Sequence, residues 1–442
     1  MPKGLRKFTF SFERTGLTRF GGLCLFQHFC KSLRLRHFLQ LYVRWPDYAH
    51  RGYHPADIFL AHIFSIVAGI GRIENTQSLL HNGLVPVILG LPEFPHRDTL
   101  RTFLWRFNRK NVLALESAHN RLRTELFKRW GPFYSATLDA DTTALMMYGN
   151  QEGSALGYVP KLRHRKPSYA PILSSEAHTG LSLGLELRSG NVHSTTGAWT
   201  FLKEQLTKLP STVASSRTRV RLDGGFYDKD ILLKLDEERL GYLVVARMTP
   251  SLKRRMIAAR YHEFARGWEA AEFPYPVTGF HKEQRFVAVR RPVALEPEDV
   301  RNRLFTFRRH TSHRALAVGR LDISPESCYR FYCDRAIQEL LIREFKDSYG
   351  LAQIPTRSFH ANAAYMEMIL WAYDLVRAFQ FLCLPKDFRS WTLPVLRRER
   401  WSLPAEWVKH GDHNILGLPA KYPNQDLFSK IERAVSAVKP LF

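Results

Sequence analysis

The sequence predicts an α/β protein in which a mixed sheet with flanking helices is interrupted by a β-rich insertion and preceded by an all-helical N-terminal domain. Three observations carry this. Apolar residues recur at three- and four-residue spacing over residues 1–130, the period changes to two from about residue 133, and strand-like and helix-like segments alternate beyond that point. Such alternation places functional side chains at strand ends and in the loops that follow them.

In order along the chain, helices are expected over Leu23–Tyr42, Ala56–Gly69, Thr99–Phe107 and Val112–Trp130, separated by Pro and Gly signals. The helix after Pro95 carries an apolar stripe of Leu100, Phe103, Leu104 and Phe107, with Arg97, Arg101, Trp105 and Arg109 on another face. That layout suits a helix-turn-helix recognition helix, and equally an ordinary solvated basic face. Strands are expected over Phe133–Asp141, Ala170–Ala177, Leu181–Arg188, Thr218–Asp223 and Tyr242–Arg247, with helices over Trp199–Leu209 and Lys229–Leu240. The order is three strands, helix, strand, helix, strand. Residues 250–328 break this pattern with short strand candidates at Arg285–Arg290 and Arg303–Arg308, and helices resume at Tyr332–Ser348 and Ala361–Leu382. The expected divisions are 1–130, a catalytic domain split into 131–249 and 329–385 around the 250–328 insertion, and a basic C-terminal segment over 386–442.

Lys and Arg number 65 against 41 Asp and Glu, a formal charge of +24. A fixed positive charge of that size points to nucleic acid, with an anionic membrane surface as the weaker alternative. The apolar run Ile58–Gly71 is too short to span a bilayer, and the run near Met368 carries Glu367, Asp374 and Arg377, so no membrane span is expected. The first residues are basic but lack an apolar stretch behind them, which leads to an expectation of a cytoplasmic protein. Cys24, Cys30, Cys328, Cys333 and Cys383 contain no CxxC pair, arguing against both a disulfide framework and a zinc ribbon.

Three acidic positions stand at the ends of apolar strands: Asp139 and Asp141 in LDADTT, and Asp223 in RLDGGF. Strand-end aspartates are commonly turn or capping residues, but a carboxylate beside a core is expensive, and several together suggest a site. Farther on, Tyr332, Arg335, Glu339 and Lys346 lie at i, i+3, i+7 and i+14, one side of a helix at 100° per residue, with Ile337, Leu340, Leu341 and Phe345 as its packing face. A solvated charged stripe is the plain alternative.

The spacing Tyr-x2-Arg-x3-Glu-x6-Lys resembles the YREK signature of bacterial insertion-sequence transposases with a DDE active site. Asp141-Thr142-Thr143 and Asp223 resemble that family's two catalytic aspartates, and YGNQEGSALGY, LRSGNVHS and FHANAAY extend the likeness along the chain. The resemblance implies a ribonuclease-H-like catalytic domain with Asp141, Asp223 and Glu339 as catalytic metal ligands. Asp139 stays open as an alternative to Asp141, since both point to one side of a strand. It further implies two Mg²⁺ ions, with Mn²⁺ as a substitute, acting on an in-line displacement at phosphorus. Tyr332, Arg335 and Lys346 are implied to position DNA.

The partners so implied are double-stranded DNA, as transposon terminal inverted repeats and as target, and a second copy of the chain in a paired-end homodimer. The location implied is the bacterial cytoplasm in association with the nucleoid. Further DNA contacts are expected from Arg97 and Arg101, from Lys161, Arg163 and Arg165 in KLRHRK, and from clusters at Lys253–Arg260, Arg301–Arg309 and Arg397–Arg400. Trp268 is a candidate to stack on a flipped base, or else a rim residue of a core. The leading reading is cut-and-paste transposition. The alternatives are a non-catalytic DNA-binding protein derived from such an enzyme, and a metal-dependent nuclease on the same scaffold.

Overall fold

The computed structural model describes residues 13, 16–47, 52–80, 84–91, 93–159, 164–292, 311–411 and 413–442. The chain divides into two compact units, Phe127–Ile342 and a second made of Met1–Leu126 with Arg343–Phe442.

The unit Phe127–Ile342 is built on a mixed sheet. Its inner strands are β1 (Ala136–Thr142), β2 (Ile172–Glu176), β3 (Ser182–Glu186), β4 (Thr218–Leu222) and β5 (Gly241–Val245). The first three form an antiparallel meander, and β4 and β5 run parallel to β1. Helices Ala198–Leu206 and Lys229–Glu237 provide the crossovers that parallel neighbours require. Leu138, Ala140, Val220, Leu222, Leu243 and Val244 are fully buried, as continuous apolar runs covered on both faces should be.

Four more strands, β6 (His262–Ala265), β7 (Trp268–Tyr275), β8 (Gln284–Pro292) and β9 (Thr311–Gly319), extend the same sheet to the order β6-β7-β8-β9-β5-β4-β1-β2-β3. The strands expected for the β-rich insertion over 250–328 therefore continue the sheet that carries the aspartates. β9 lies antiparallel beside β5, pairing Leu316 with Val245 and Val318 with Leu243, so the hairpins cover an edge that would otherwise be open. Residues 303–308, expected as a strand, lie outside the described residues. A separate three-stranded sheet, Leu145–Met146, His164–Tyr169 and Ala155–Val159, was not anticipated.

The other unit is mainly helical. The N-terminal helices, expected as a domain of their own, share it with everything from Arg343 onward. Its central helix, Phe359–Cys383, is buried on nearly all sides and packs against helices Pro55–Val67 and Arg97–Trp105. Its acidic residues are neutralised internally: Glu367 meets His119 Nδ1 at 2.6 Å and Asp374 meets Arg123 Nε at 3.0 Å, all four side chains being buried. Among the described residues no helix is long and apolar enough to cross a membrane. The expected helix Leu23–Tyr42 is two helices, Leu23–Ser32 and Leu35–Tyr42, because Arg34 takes a left-handed φ of 55° between them.

In the cluster Arg397–Arg400, expected as phosphate contacts, Arg397 and Arg400 are engaged within the fold while Arg398 is exposed. The Arg397 guanidinium donates to the carbonyls of Ile66, Val67 and Ser348, and Arg400 is buried against Tyr422 and the Glu399 carbonyl.

Candidate active site

β1 and β4 are adjacent parallel strands, so their C-terminal ends lie side by side, and each ends at an aspartate. Asp141 is the penultimate residue of β1. Asp223 follows β4 and caps a short 3-10 turn, its Oδ1 accepting from Gly225 N at 3.0 Å. A Cβ added at Gly225 would lie 3.1 Å from that oxygen and 3.2 Å from Ser194 Oγ, which explains why a glycine follows so closely. Asp141 Oδ1 accepts from Thr142 N at 2.7 Å, and Thr142 Oγ1 meets Ser194 Oγ at 3.1 Å. Ser194 thus stands between the two aspartate loops, bonded to Thr142 and close enough to Gly225 to crowd any side chain there. Ser194 sits in the LRSGNVHS phrase, but nothing short of the fold brings it between the two strand ends.

Asp139 and Asp141 share one face of β1, and the structure separates them by partner. Asp139 stands opposite Arg221 in the β1/β4 register and is held by it bidentately, at 2.7 and 2.6 Å, with both side chains buried. Burial pushes the Asp139 carboxyl up and Arg221 opposes that push. Asp141 faces Arg335 instead, its Oδ2 lying 2.8 Å from Arg335 Nη2. Burial raises the Asp141 carboxyl to about 6, Arg335 pulls the other way, and the nearby charge of Asp223 adds to the rise.

The expected helix Tyr332–Ser348 is two helices, Pro325–Cys333 and Ala336–Asp347. At the break Arg335 N bonds the Tyr332 carbonyl and Ile337 N the Asp334 carbonyl, three-residue steps that tighten the turn. Tyr332, Arg335, Glu339 and Lys346 therefore do not lie on one helical face. Tyr332 is buried near the end of the first helix and Arg335 is buried in the break. Glu339, on the second helix, is 68% exposed, its Oε1 3.4 Å from Arg335 Nη1. Lys346 is on the last turn of that helix, beyond Ile342 and so in the other compact unit. The expected packing face is also split. Leu341 and Phe345 are buried, whereas Ile337 and Leu340 are 57% and 52% exposed.

The resulting geometry has Arg335 as a buried cation between Asp141 and Glu339, close enough to Asp223 for that charge to raise its own affinity for a proton further. The fold thus brings the two strand-end aspartates and Arg335 together, with Glu339 beside Arg335 on the helix Ala336–Asp347.

The family description "Transposase DDE domain group 1" matches residues 2–440 of the chain. The chain belongs to this transposase family. A comparison with curated proteins returned no match. Membership makes the transposase an enzyme of the polynucleotidyl transferase type, from a family that acts on DNA and generally uses divalent metal ions.

The residues present suit such ions in chemistry. The donors are all carboxylate oxygens, which hard divalent cations take. The buried guanidinium already seated between two of them shows that positive charge is stabilised there, and its Nε and Nη2 lack a hydrogen-bond acceptor of good geometry. As folded, no three such ligands among the described residues close around one point, since Arg335 stands between Asp141 and Glu339.

Of the residues expected to meet DNA, Arg97 is 44% exposed on the helix Arg97–Trp105, while Arg101 is engaged by Glu74 at 2.7 Å and Asp98 at 3.1 Å. Arg165 is exposed on the strand His164–Tyr169, and Lys161 and Arg163 lie outside the described residues, as does the cluster Arg301–Arg309. Trp268 is half-buried, 4.9 Å from Tyr329 in ring centroids with the Arg291 guanidinium 5.1 Å above it, against the core formed by Leu243, Ala270 and Leu316.

Proposed function

We propose that this transposase binds the terminal inverted repeats of its own element, pairs two ends in a homodimer, cleaves both strands and joins the freed 3′ ends to target DNA. The observation that carries the reading is the placement of Asp141 and Asp223 at neighbouring parallel strand ends with Glu339 linked to Asp141 through Arg335. The strand order, three strands, helix, strand, helix, strand, supports a ribonuclease-H-like catalytic core.

Asp141, Asp223 and Glu339 would hold two Mg²⁺ ions, or Mn²⁺ in their place. Ions held there would supply activation of the attacking oxygen and stabilisation of the leaving one in an in-line displacement at phosphorus. The chain's own residues do the rest. Asp139, spent on Arg221, fixes β1 against β4 and so sets the spacing of the two aspartate loops. Arg335 offers a planar fork that fits carboxylate and phosphate alike, so it can leave Glu339 for a DNA phosphate oxygen without changing its chemistry. Tyr332 supports it from the preceding turn, and Lys346 adds a point charge. Arg97, Arg101, Lys161, Arg163 and Arg165 contribute contacts to the DNA backbone, and Trp268 offers its ring to stack on a displaced base.

The test is Mg²⁺-dependent cleavage of a duplex bearing the element's flanking repeats by wild type, Asp223→Asn and Glu339→Gln. Losing a partner that merely orients a ligand typically costs 10–100-fold, so losing a ligand should cost roughly 100-fold or more, with binding retained. Cleavage by the variants at the wild-type rate, or a wild type that binds and never cuts with any divalent ion, overturns the proposal.

A further inference from the structure

The strands that end at Asp141 and Asp223 begin at a second concave feature. Tyr134 and Ser135 lead into β1, Ser216 and Arg217 into β4, and β5 starts at Gly241. These residues line a cavity of about 330 Å³ together with Arg219, Arg320 and Asp322. Its charge is unbalanced, with three arginines facing one carboxylate.

Two of those arginines have no acidic partner among the described residues. The Arg217 side chain is exposed and makes no ion pair or hydrogen bond among the described residues. Arg219 is on the same face of β4 as Arg221, two residues nearer the strand start. Arg221 is consumed by Asp139 and the Phe331 carbonyl. Arg219 has no such partner and lies over the Phe331 ring at 5.4 Å. Stacking holds a guanidinium in place and leaves its in-plane N–H groups free, which suits bidentate capture of phosphate. Arg320, engaged by Asp236 at 3.1 Å, takes a left-handed φ of 50°, an unusual conformation for a residue with a side chain. Hydroxyls of Tyr134, Ser135 and Ser216 add the donors that accompany arginine on nucleic-acid backbones.

From Ser135 to Asp141 is six residues of extended chain, roughly 20 Å at ~3.3 Å each. A phosphate held in this cavity is therefore not the one at the carboxylates. We infer that the cavity is a second DNA site, which grips a backbone phosphate at the opposite end of the sheet from the carboxylates, without reading sequence. The inference rests on the DNA binding proposed above.

The experiment measures affinity of the full chain for duplex DNA against salt concentration, in chelator so that no cleavage intervenes. Each phosphate contact contributes about 0.9 to the slope of log K against log salt, so Arg217→Ala/Arg219→Ala should flatten the slope by roughly 1 to 2. The loss should be equal on repeat-bearing and scrambled duplexes. Arg217→Lys/Arg219→Lys should keep most of the slope. Should the double alanine variant fold poorly, Arg217→Ala alone, at an exposed side chain, should still flatten it by about 1. An unchanged slope and affinity in a folded variant overturns the inference and leaves the proposed function standing. Wild type that binds no duplex at any salt overturns both. Inorganic pyrophosphate that raises the melting temperature of wild type but not of the variant, with equal DNA slopes, makes this a small-anion site and refutes the DNA assignment.

Discussion

Substituting Asp141 should stabilise the metal-free protein while abolishing its activity. Burial raises the Asp141 carboxyl from 3.8 to about 6, despite Arg335 at 2.8 Å. A shift of about two units is worth ~3 kcal/mol between the neutral and ionised forms. The sign follows from linkage. The favourable interaction of the neutral carboxyl is fully present below pH 3.8 and is lost as pH rises to about 6. Above that, the folded chain carries an ionised group in a place that disfavours it. Asparagine keeps the neutral shape, so in chelator at pH 8 Asp141→Asn should resist urea better than wild type by up to ~3 kcal/mol, and the two should converge near pH 4. Added Mg²⁺ should reverse the order. Ligand at 1,000 times its Kd stabilises by about 4.1 kcal/mol, a gain open to wild type and closed to the variant. A variant less stable than wild type at pH 8 would refute the reasoning. The ion pair with Arg335 would then outweigh burial, and the guanidinium would be the permanent partner of Asp141.

Two further predictions concern groups away from the reacting centre. Asp139→Ala strands Arg221 in the core and should cost about 3–5 kcal/mol in urea unfolding, the price of one half of a buried pair; a small loss of stability with complete loss of Mg²⁺-dependent cleavage would instead make Asp139 the metal ligand. His62, buried on the helix Pro55–Val67 with Nε2 3.3 Å from the Leu100 carbonyl, has its imidazole pushed down to about 4 by burial. Its contribution is present above pH 6.5 and lost as pH falls toward 4, up to ~3 kcal/mol, so the stability of His62→Gln should decline less over that window, and parallel pH curves would exclude the effect.

Much of the catalytic unit was legible because its signals are local. Each inner strand alternates or runs apolar within a few residues, and hairpin Gly180, at φ 72°, and the glycines after Asp223 punctuate them. What was not legible is what depends on a distant partner. The difference in partner between Asp139 and Asp141 turns on Arg221, 82 positions on from Asp139. That the strands of the β-rich insertion continue the inner sheet depends on β9 lying beside β5, a pairing that leaves no mark on either strand. The break at Asp334–Arg335 is hidden because the helical apolar period continues through it with Ile337 and Leu340, which the structure leaves exposed. Arg397 reads as surface charge because carbonyl acceptors such as Val67, 330 positions away, have no sequence signature.

The dependence of the site on Arg335 has a bearing on synthesis. Asp141 and Asp223 belong to strands that leave the ribosome well before Arg335 and Glu339 do. A product that stops short of residue 332 holds the two aspartates without the guanidinium that accompanies them in the folded chain and without the third carboxylate. Such a fragment keeps the arginines of the 134–219 region and the basic N-terminal helices. On the ligand set proposed above, such a fragment carries two of the three carboxylates, and its N-terminal helices lack the residues from Arg343 onward that complete their compact unit.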